Sequence, residues 1–372
     1  MRGKHRRRRP PPGPVTRSTL LAGVIALSMA VPHQAGEVPV TSHRRARILP
    51  HASASAPNVA ASSTDLPGEA DGDPRRFTIA ATGDILIHES LWERAAKLGV
   101  EVGRAFDFRP MFHRVRGLLS EADVAICHLE TPVTTDGTLS SYPVFAAPHQ
   151  IVDAIADAGY DSCSTASNHS LDQGAGGIDA TLDALDRAGL AHAGTARSRA
   201  ESRRITMLDV DGVEVAQLAY SFGFNGFIPE HDWQANRIQI GRILDDARRA
   251  RAQGSRFTIV SLHWGVEPLS SPTAFQVRVA DRLTRSRFVD AIVGHHAHVV
   301  QPIERLHGKV VAYGMGNFLS GMRPSELWPD GVDDGVIVVL DVELRGDAYR
   351  VRNVSTVPTS VAGGTWRIVP GA

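Results

Sequence analysis

The segment VDAIVGHHAHVVQ, residues 289–301, places three histidines directly after a short apolar run. An apolar run of this length that ends at a glycine is typical of a buried strand. His296 and His298 are two positions apart, so in an extended segment their imidazoles point the same way and can bind metal together. The segment therefore predicts a strand that ends at a metal site. A pH-sensing or simply polar histidine cluster is the alternative.

Four other apolar runs end in the same way, with a polar side chain at or just after the last residue. The runs are FTIAATG (77–83), DVAICHLE (123–130), YDSCSTA (160–166) and RFTIVSLHWG (256–265). The polar residues that follow them or end them are Asp84, Glu130, Asn168 with His169, and His263. The pattern predicts five strands whose ends carry chemically useful side chains.

Helical patterns separate several of these runs, at 112–120, 150–158, 178–188 and 238–252. Near-continuous apolar strands that alternate with helices indicate a layered α/β fold with a mostly parallel central sheet. After residue 299 the pattern changes to two predicted hairpins, one around His307-Gly308 and one formed by 332–344 and 347–357. Ligands bind at the carboxyl ends of strands in open α/β sheets. Side chains as distant in sequence as Asp84 and His296 are therefore expected to converge.

Each polar residue also has an ordinary structural explanation when it is taken alone. Asp84 could cap a helix over 88–98, and Glu130 could be a carboxylate on a surface loop. Asn168-His169 could simply form a turn. His263 by itself is more often a buried, hydrogen-bonded histidine than a metal ligand. Only the convergence of the whole set would favour a functional site.

Together the set contains two carboxylates, one amide oxygen and three imidazoles. Such mixed oxygen and nitrogen donors suit Mn²⁺, Zn²⁺, Fe or Mg²⁺ better than copper or an iron–sulfur cluster. The number of ligands fits two divalent metals that share a bridging carboxylate, at a separation of ~3.5–4 Å. Two such metals can lower the pKa of a coordinated water and hold two substrate oxygens. The set therefore predicts hydrolysis, above all of phosphoesters.

At these residues the chain resembles the bacterial capsule-synthesis CapA family, which is associated with poly-γ-glutamate and is similar in fold to the calcineurin-like metallophosphoesterases. The resemblance runs from about residue 78 to residue 320. Its motifs, in order, are GDIL (83–86), LETP (129–132), NHSLD (168–172), HWGVE (263–267), HAHVVQ (296–301) and GMGNF (314–318). The resemblance implies a layered sandwich of central mixed β-sheets flanked by helices.

The resemblance also implies a role for each site residue. Asp84 and His298 would hold one metal, Asn168, His263 and His296 would hold the other, and Glu130 would bridge the two. His169 would be the general acid that protonates the leaving group, oriented by Asp172. Glu267 would contact substrate or support the site, and His295 is expected to lie outside the direct ligands. Position 86 is Leu where the related hydrolases have His, so His88 is a candidate accessory ligand.

Residues 1–31 are expected to be a signal peptide or a signal anchor. A basic stretch, MRGKHRRRRPPPGPVTR, precedes the apolar run Leu20–Leu27, and Ser28-Met29-Ala30 offers small residues for cleavage. Residues 32–76 are rich in Ala, Ser, Pro and His and are expected to form a disordered linker. Residues 77–372 are expected to form one domain. The protein is predicted to be secreted or extracytoplasmic, and to meet a membrane only through an uncleaved N-terminal segment.

Charge and cysteine content exclude some classes of function. The chain has 40 Lys and Arg and 40 Asp and Glu, but residues 1–17 alone hold seven of the cations. The remainder is acidic, which argues against a nucleic-acid partner. Arg104, Arg109 or Arg197 could add positive charge near the site for an acidic substrate. Two cysteines, Cys127 and Cys163, are interpreted as small core residues, with a disulfide as the alternative.

Three functional hypotheses follow. The first is an exported, metal-dependent hydrolase or transferase that acts on a cell-surface polymer such as poly-γ-glutamate, with capsule-synthesis membrane proteins as possible partners. The second is an extracytoplasmic phosphoesterase for nucleotide, lipid or wall phosphates. The third is a non-catalytic factor for polymer assembly.

Overall fold

A computed structural model describes residues 76–371 of the chain. The expected signal segment (1–31) and the expected linker (32–76), apart from Arg76, lie outside the described residues. Within the described range, every helix is too short or too polar to cross a bilayer.

This range forms fourteen strands and seven α-helices. The strands are β1 (Arg76–Leu86), β2 (Val124–Leu129), β3 (Ser162–Ser164), β4 (Ala191–Ala193), β5 (Thr206–Val210), β6 (Val213–Ser221), β7 (Phe257–His263), β8 (Ala291–His295), β9 (Ile303–Leu306), β10 (Lys309–Ala312), β11 (Asn317–Ser320), β12 (Asp334–Arg345), β13 (Ala348–Ala362) and β14 (Arg367–Pro370). The helices are α1 (Glu89–Glu101), α2 (Arg109–Phe112), α3 (Arg116–Ser120), α4 (Gln150–Asp157), α5 (Gly174–Arg187), α6 (Ile240–Ala252) and α7 (Ala274–Thr284).

The strands form two mixed sheets rather than one mostly parallel sheet. The eight-stranded sheet has the order β14-β13-β12-β1-β2-β3-β4, with β11 paired to the end of β1. The six-stranded sheet has the order β5-β6-β7-β8-β10-β9. Each sheet has a parallel centre, β1 to β4 in the first and β6-β7-β8-β10 in the second, and antiparallel strands at an edge. Both hairpins predicted after residue 299 are present, as β9-β10 and β12-β13.

Alternate side chains of the strands enter two different cores, which creates a four-layer sandwich. In β7, Phe257 and Ile259 belong to a core shared by both sheets, whereas Val260 and Leu262 pack with α6 and α7. In β1, Ile79 enters the core between the sheets, and the helices α1 to α5 contribute to a further core with the other face of the eight-stranded sheet. Strands that are apolar on both faces read as continuous apolar runs. The predicted layered sandwich of mixed sheets flanked by helices is confirmed.

The interpretation of Cys127 and Cys163 as unpaired core residues is wrong, because the two form a disulfide. Both side chains are buried, as expected of core residues. β2 and β3 are parallel neighbours in a register that places Cys127 opposite Cys163, with their Cα atoms 4.5 Å apart. The alternative reading from the sequence was therefore correct, and strand pairing is the physical reason.

Candidate metal and catalytic site

The carboxyl ends of the central strands of both sheets meet at one edge of the molecule. Asp84 lies near the end of β1 and Glu130 directly follows β2, while His263 is the last residue of β7. Gly83 lets β1 approach the neighbouring loop, because a Cβ at this position would collide with the backbone of Gly316. The predicted convergence is observed, and it joins residues from two sheets.

Asp84 is fully buried and is the anchor of the histidine segment. Its Oδ1 lies 2.9 Å from His295 Nδ1, and its Oδ2 accepts the backbone N–H of His296 at 3.0 Å. His298 Nδ1 lies 3.2 Å from the same Oδ2. Burial alone would raise the pKa of Asp84, but the hydrogen bonds from His295 and His298 hold it well below its usual value. The group is thus a carboxylate in the folded protein.

Glu130 lies at the centre of the site. Its side chain is completely buried, and neither carboxylate oxygen has a hydrogen-bond partner among the described residues. Oε1 lies 3.9 Å from His263 Nε2 and 3.7 Å from His298 Nε2, too far for hydrogen bonds. Burial raises the pKa of Glu130 well above its usual value. A buried carboxylate that faces imidazole nitrogens across such gaps has the surroundings of a metal ligand.

Asn168 and His263 face each other beside Glu130. His263 Nε2 lies 2.8 Å from Asn168 Oδ1, so the two predicted ligand atoms are in contact. His263 Nδ1 lies 2.9 Å from His128 Nε2, and His128 Nδ1 lies 2.7 Å from Ser164 Oγ. All four side chains are buried. This chain of hydrogen bonds fixes the orientation of the His263 ring.

The loop after β8 does not have the extended conformation expected from the sequence. His296 and His298 both have positive φ, +88° and +56°, which places them in the left-handed region that side chains rarely adopt. The two imidazoles nevertheless reach the site, because the turn brings the backbone N–H of His296 onto Asp84. Burial lowers the pKa of His296 to about 3. Burial would also lower the pKa of His298, but the neighbouring carboxylates Glu130 and Asp84 raise it to about 10.

His169 and Asp172 form the predicted pair. His169 Nδ1 donates to Asp172 Oδ2 at 2.7 Å, and the same oxygen accepts the backbone N–H of Phe145 at 2.7 Å. The Phe145 ring packs edge-on against the His169 ring. Asp172 therefore holds the imidazole in one orientation, and the Nε2 atom of His169 is left for proton transfer.

Glu267 and His88 lie at the periphery of the site. Glu267 Oε1 is 3.3 Å from His296 Nδ1 and 3.9 Å from His298 Nε2, and its side chain is 32% exposed. His88 Nδ1 accepts the backbone N–H of Gly321, and its ring packs edge-on against Phe145. Glu267 thus lies at the mouth of the site. His88 contacts the backbone and is not grouped with the other possible metal ligands. Their roles remain predictions.

Three residues of the site make contacts that were not expected from the sequence. His295, which is expected to lie outside the direct ligands, contacts Asp84 and stacks on His128 with ring centroids 3.9 Å apart. His128 had been counted only as part of an apolar strand, but it is the cross-strand neighbour of Asp84. Asn225 accepts a hydrogen bond from Asn168 Nδ2 and has a φ of +47°. Nothing in the sequence around a loop Asn indicates that it will contact a site residue.

Two of the three arginines considered as a source of positive charge, Arg109 and Arg197, are already paired. Arg109 is bound to Asp107 through two hydrogen bonds of 2.8 Å. Arg197 pairs with Asp183, Asp186 and Glu201. Neither guanidinium is available to an acidic substrate at the metal site.

The chain matches the family model described as bacterial capsule synthesis protein PGA_cap over residues 78–322. The chain belongs to this family. The matched range contains every candidate ligand from Asp84 to His298. The resemblance inferred from the ordered motifs is thereby confirmed.

Similar proteins include two curated relatives and one solved structure. The capsule biosynthesis protein CapA of Bacillus anthracis is 24% identical over 254 residues, 66% of this chain and 60% of that protein. A probable polyglutamine synthesis accessory protein of Mycobacterium tuberculosis is 30% identical over 210 residues, 52% of this chain and 55% of that protein. The calcineurin-like phosphoesterase YfkN from Bacillus subtilis is 15% identical, with a TM-score of 0.47 over 77% of this chain and 91% of that chain. This family member thus spans somewhat more than half the length of the curated relatives.

The donor set of this PGA_cap family member fits divalent metal. Among residues 76–371, three clusters have ligand atoms within 4.8 Å of one another: Asp84 with Glu130 and His298, Glu267 with His296 and His298, and Asp84 with His128 and His295. The oxygens of Glu130, and the buried Nδ1 of His296, which makes no hydrogen bond although Glu267 Oε1 lies 3.3 Å away, are the atoms that a cation would satisfy. Burial also lowers the pKa of His263 well below its usual value, so its imidazole is neutral at physiological pH. Neutral imidazole is the form that binds metal.

Proposed function

We propose that this protein is a metal-dependent hydrolase or transferase that acts on a cell-surface polymer, with poly-γ-glutamate as the leading substrate class. One observation carries the proposal. Glu130, which follows a strand of the eight-stranded sheet, is a buried carboxylate without a hydrogen-bond partner in the described part of the chain, and it faces two imidazoles, His263 and His298, contributed by the six-stranded sheet. Burial of a carboxylate that has no hydrogen-bond partner costs free energy, and a bound cation would offset that cost.

The residues divide into a set that would bind metal and a pair that would move a proton. Asp84 and His298 would hold one cation, Asn168, His263 and His296 a second, and Glu130 would contact both. Divalent cations, when bound, supply Lewis-acid activation of water and neutralise charge that develops on substrate oxygens.

His169, the neighbour of Asn168 in the chain, would protonate the leaving group from its Nε2 atom. Asp172 would keep the imidazole oriented and stabilise its protonated form. The target bond would be an amide or a phosphoester. The nitrogen of an amide and the oxygen of a phosphoester are both poor leaving groups unless they are protonated. Either cleavage would therefore use a general acid at the position of His169.

The relatives support the choice of polymer. One is named a capsule biosynthesis protein and another a probable polyglutamine synthesis accessory protein. An extracytoplasmic location is proposed from the N-terminal sequence. It is supported by the buried Cys127–Cys163 disulfide, because such bonds persist mainly in oxidising compartments.

The test measures metal content and catalysis in parallel on the full-length protein. Elemental analysis identifies the bound cations, and a panel of γ-glutamyl amide and phosphodiester substrates is assayed with added Mn²⁺. We expect His169→Ala to lower kcat by about 10²–10⁴-fold, the usual range for a general acid, with metal content unchanged. The matched control is His113→Ala, a histidine exposed on the surface.

Three results would contradict the proposal in different ways. A preparation without divalent cations, inert on all substrates, would favour a role in polymer assembly. Full activity of the His169 variant would remove the proposed acid. Cleavage of phosphodiesters alone would favour the general phosphoesterase hypothesis over the polymer.

A further inference from the structure

A second concentration of charge lies at the opposite edge of the six-stranded sheet from the metal site. There an open cavity of about 730 Å³ is lined by six cationic side chains: Arg251, Arg256, Arg285, Arg287, Lys309 and Arg350. Two carboxylates, Asp290 and Asp347, complete the charged part of its described lining. The cluster is notable because residues 76–372 are acidic as a whole, with 29 Lys and Arg against 35 Asp and Glu. We call it the cationic cavity.

The sheet explains why these cations converge. Arg256 directly precedes β7 and Lys309 opens β10, and these parallel strands begin at the same edge. The β12-β13 hairpin brings Arg350 to this edge from the other sheet. β7 carries the chain for seven residues from this edge to His263. At the usual rise of a strand, the cationic cavity lies about 20 Å from the metal site.

Some of these cations are used by the fold. Arg251 pairs with Asp290 at 2.6 Å, and Arg285 pairs with Asp281 at 2.9 Å. The buried amine of Lys309 donates to the backbone carbonyl of Ser286. These contacts satisfy structural needs, so they do not by themselves indicate an anion site.

Arg287 and Arg350 differ from these cations because they form no such structural ion pair among the described residues. Both are exposed, and neither has a carboxylate partner among the described residues. The guanidinium of Arg287 lies over the Phe288 ring, 4.9 Å from its centroid, and this contact fixes its orientation. Two guanidiniums with free donors thus border a cavity that already has an excess of positive charge. Self-repulsion makes such an arrangement unfavourable until an anion binds.

The geometry points to a binding subsite in the cationic cavity for a run of carboxylates on an acidic polymer. Guanidinium groups bind carboxylates through paired N–H donors. Several cations around one open cavity suit neighbouring acidic groups of a chain better than one isolated charge. The inference rests on the proposed function in one respect, the acidic nature of the polymer. A polymer held here stays attached while another part of it reaches the metal site.

The test measures the binding of a short synthetic γ-linked glutamate oligomer to the full-length protein by titration calorimetry at low salt. A chelator is present throughout, so cations at the metal site make no contribution. The variant Arg287→Ala/Arg350→Ala is compared with Arg114→Ala/Arg187→Ala, which removes two exposed arginines that do not line the cavity. Tripolyphosphate is titrated in a second arm.

We expect the cavity variant to bind the oligomer about tenfold or more weakly, and the control variant to bind within about twofold of wild type. Equal binding by all three proteins, or no binding by wild type, overturns the inference. Tripolyphosphate binding that depends on Arg287 and Arg350, without oligomer binding, overturns the assignment to carboxylates. Because His169→Ala leaves the cavity intact, it should bind the oligomer normally. Loss of catalysis and loss of this subsite are therefore distinguishable.

Discussion

Glu130 is a site residue predicted from the sequence, and its buried carboxylate is suited to binding a cation. Its position directly after β2 places the carboxylate in the region where the two sheets meet. Burial raises the pKa of this group, no described side chain or backbone N–H forms a hydrogen bond with it, and the charge of the neighbouring His298 offsets only part of the lost hydration. In the absence of cations, ionised Glu130 should therefore destabilise the fold.

Substitution of Glu130 by Gln tests this conclusion through stability. The raised folded pKa means that the unfolded chain ionises first, so the metal-free wild type loses stability as pH rises above the usual carboxyl pKa. At pH 8 with chelator, we expect Glu130→Gln to be more stable than wild type by about 1–3 kcal/mol. The difference should shrink at pH 5. Urea unfolding at the two pH values measures it.

The same variant should respond oppositely to metal. Mn²⁺ should stabilise wild type strongly and Glu130→Gln weakly, because the amide is a poorer ligand and carries no charge. Glu121→Gln, on an exposed glutamate, is the control and should leave both responses unchanged. A metal-free Glu130→Gln protein that is markedly less stable than wild type would show that the carboxylate is satisfied without cations.

The sequence allowed most of the site to be predicted, and the exceptions have physical causes. Asp84 and Glu130 stand at the ends of apolar strands, so their positions follow from strand periodicity and from the edge rule for parallel sheets. His128 lies within a strand, and only the crossing of the two sheets brings it to His263. Asn225 reaches Asn168 through a left-handed loop conformation that its sequence does not specify.

His128 gives a second prediction at this scale. Its Nε2 contacts His263 Nδ1 and its Nδ1 contacts Ser164, so it orients the ring of a proposed metal ligand. We expect His128→Phe to weaken metal binding by about 10–100-fold, the usual cost of losing a hydrogen bond to a ligating histidine. Competition with a fluorescent chelator measures the affinity. His128→Gln keeps a polar partner for His263, so recovery of metal affinity in this variant would show that His128 acts by orienting His263 and not by packing. Equal metal affinity of His128→Phe and wild type would exclude the orienting role.

At the scale of elements, the individual strands were easier to predict than their pairing into sheets. The five apolar runs correspond to β1, β2, β3, β7 and β8, and all of these strands except β3 are apolar on both faces. β6 (Val213–Ser221) was not identified, although it is the link between β5 and β7 in the second sheet. Without it, the parallel runs were assigned to one sheet. Which strands pair is decided by long-range packing that no local pattern records.

The disulfide between β2 and β3 gives a prediction for these elements. It closes a 36-residue separation, so its removal should lower the free energy of unfolding by about 2–4 kcal/mol. The backbone pairing of His128 with Ser164 remains in the variant Cys127→Ala/Cys163→Ala, so metal stoichiometry should be unchanged at 25 °C. Denaturant unfolding and elemental analysis measure the two quantities. Wild type treated with reductant should behave like the double variant, and loss of metal at unchanged stability would contradict this account.

At the scale of the whole molecule, the proposed metal ligands come from both sheets. Asp84, Glu130 and Asn168 belong to the eight-stranded sheet and its loops, whereas His263, His296 and His298 belong to the six-stranded sheet and its loops. The sheets already share an apolar core along most of their length. Bound cations would link the two sheets at one edge only. Their removal should therefore lower the local stability of that edge and leave the rest of the sandwich unchanged.

Hydrogen exchange with and without chelator tests that expectation on the full-length protein. We expect metal removal to increase amide exchange at 84–86, 128–131 and 294–300, since ligand binding stabilises the state that it selects and local opening is cheapest where contacts are lost. The amides at 256–260 and 309–311, at the opposite edge, should exchange as before, because the apolar core holds them. A uniform rise in exchange over both sheets would instead mean that cations stabilise the entire sandwich. No change at 294–300 would mean that the histidine loop is held in its strained conformation by Asp84 alone.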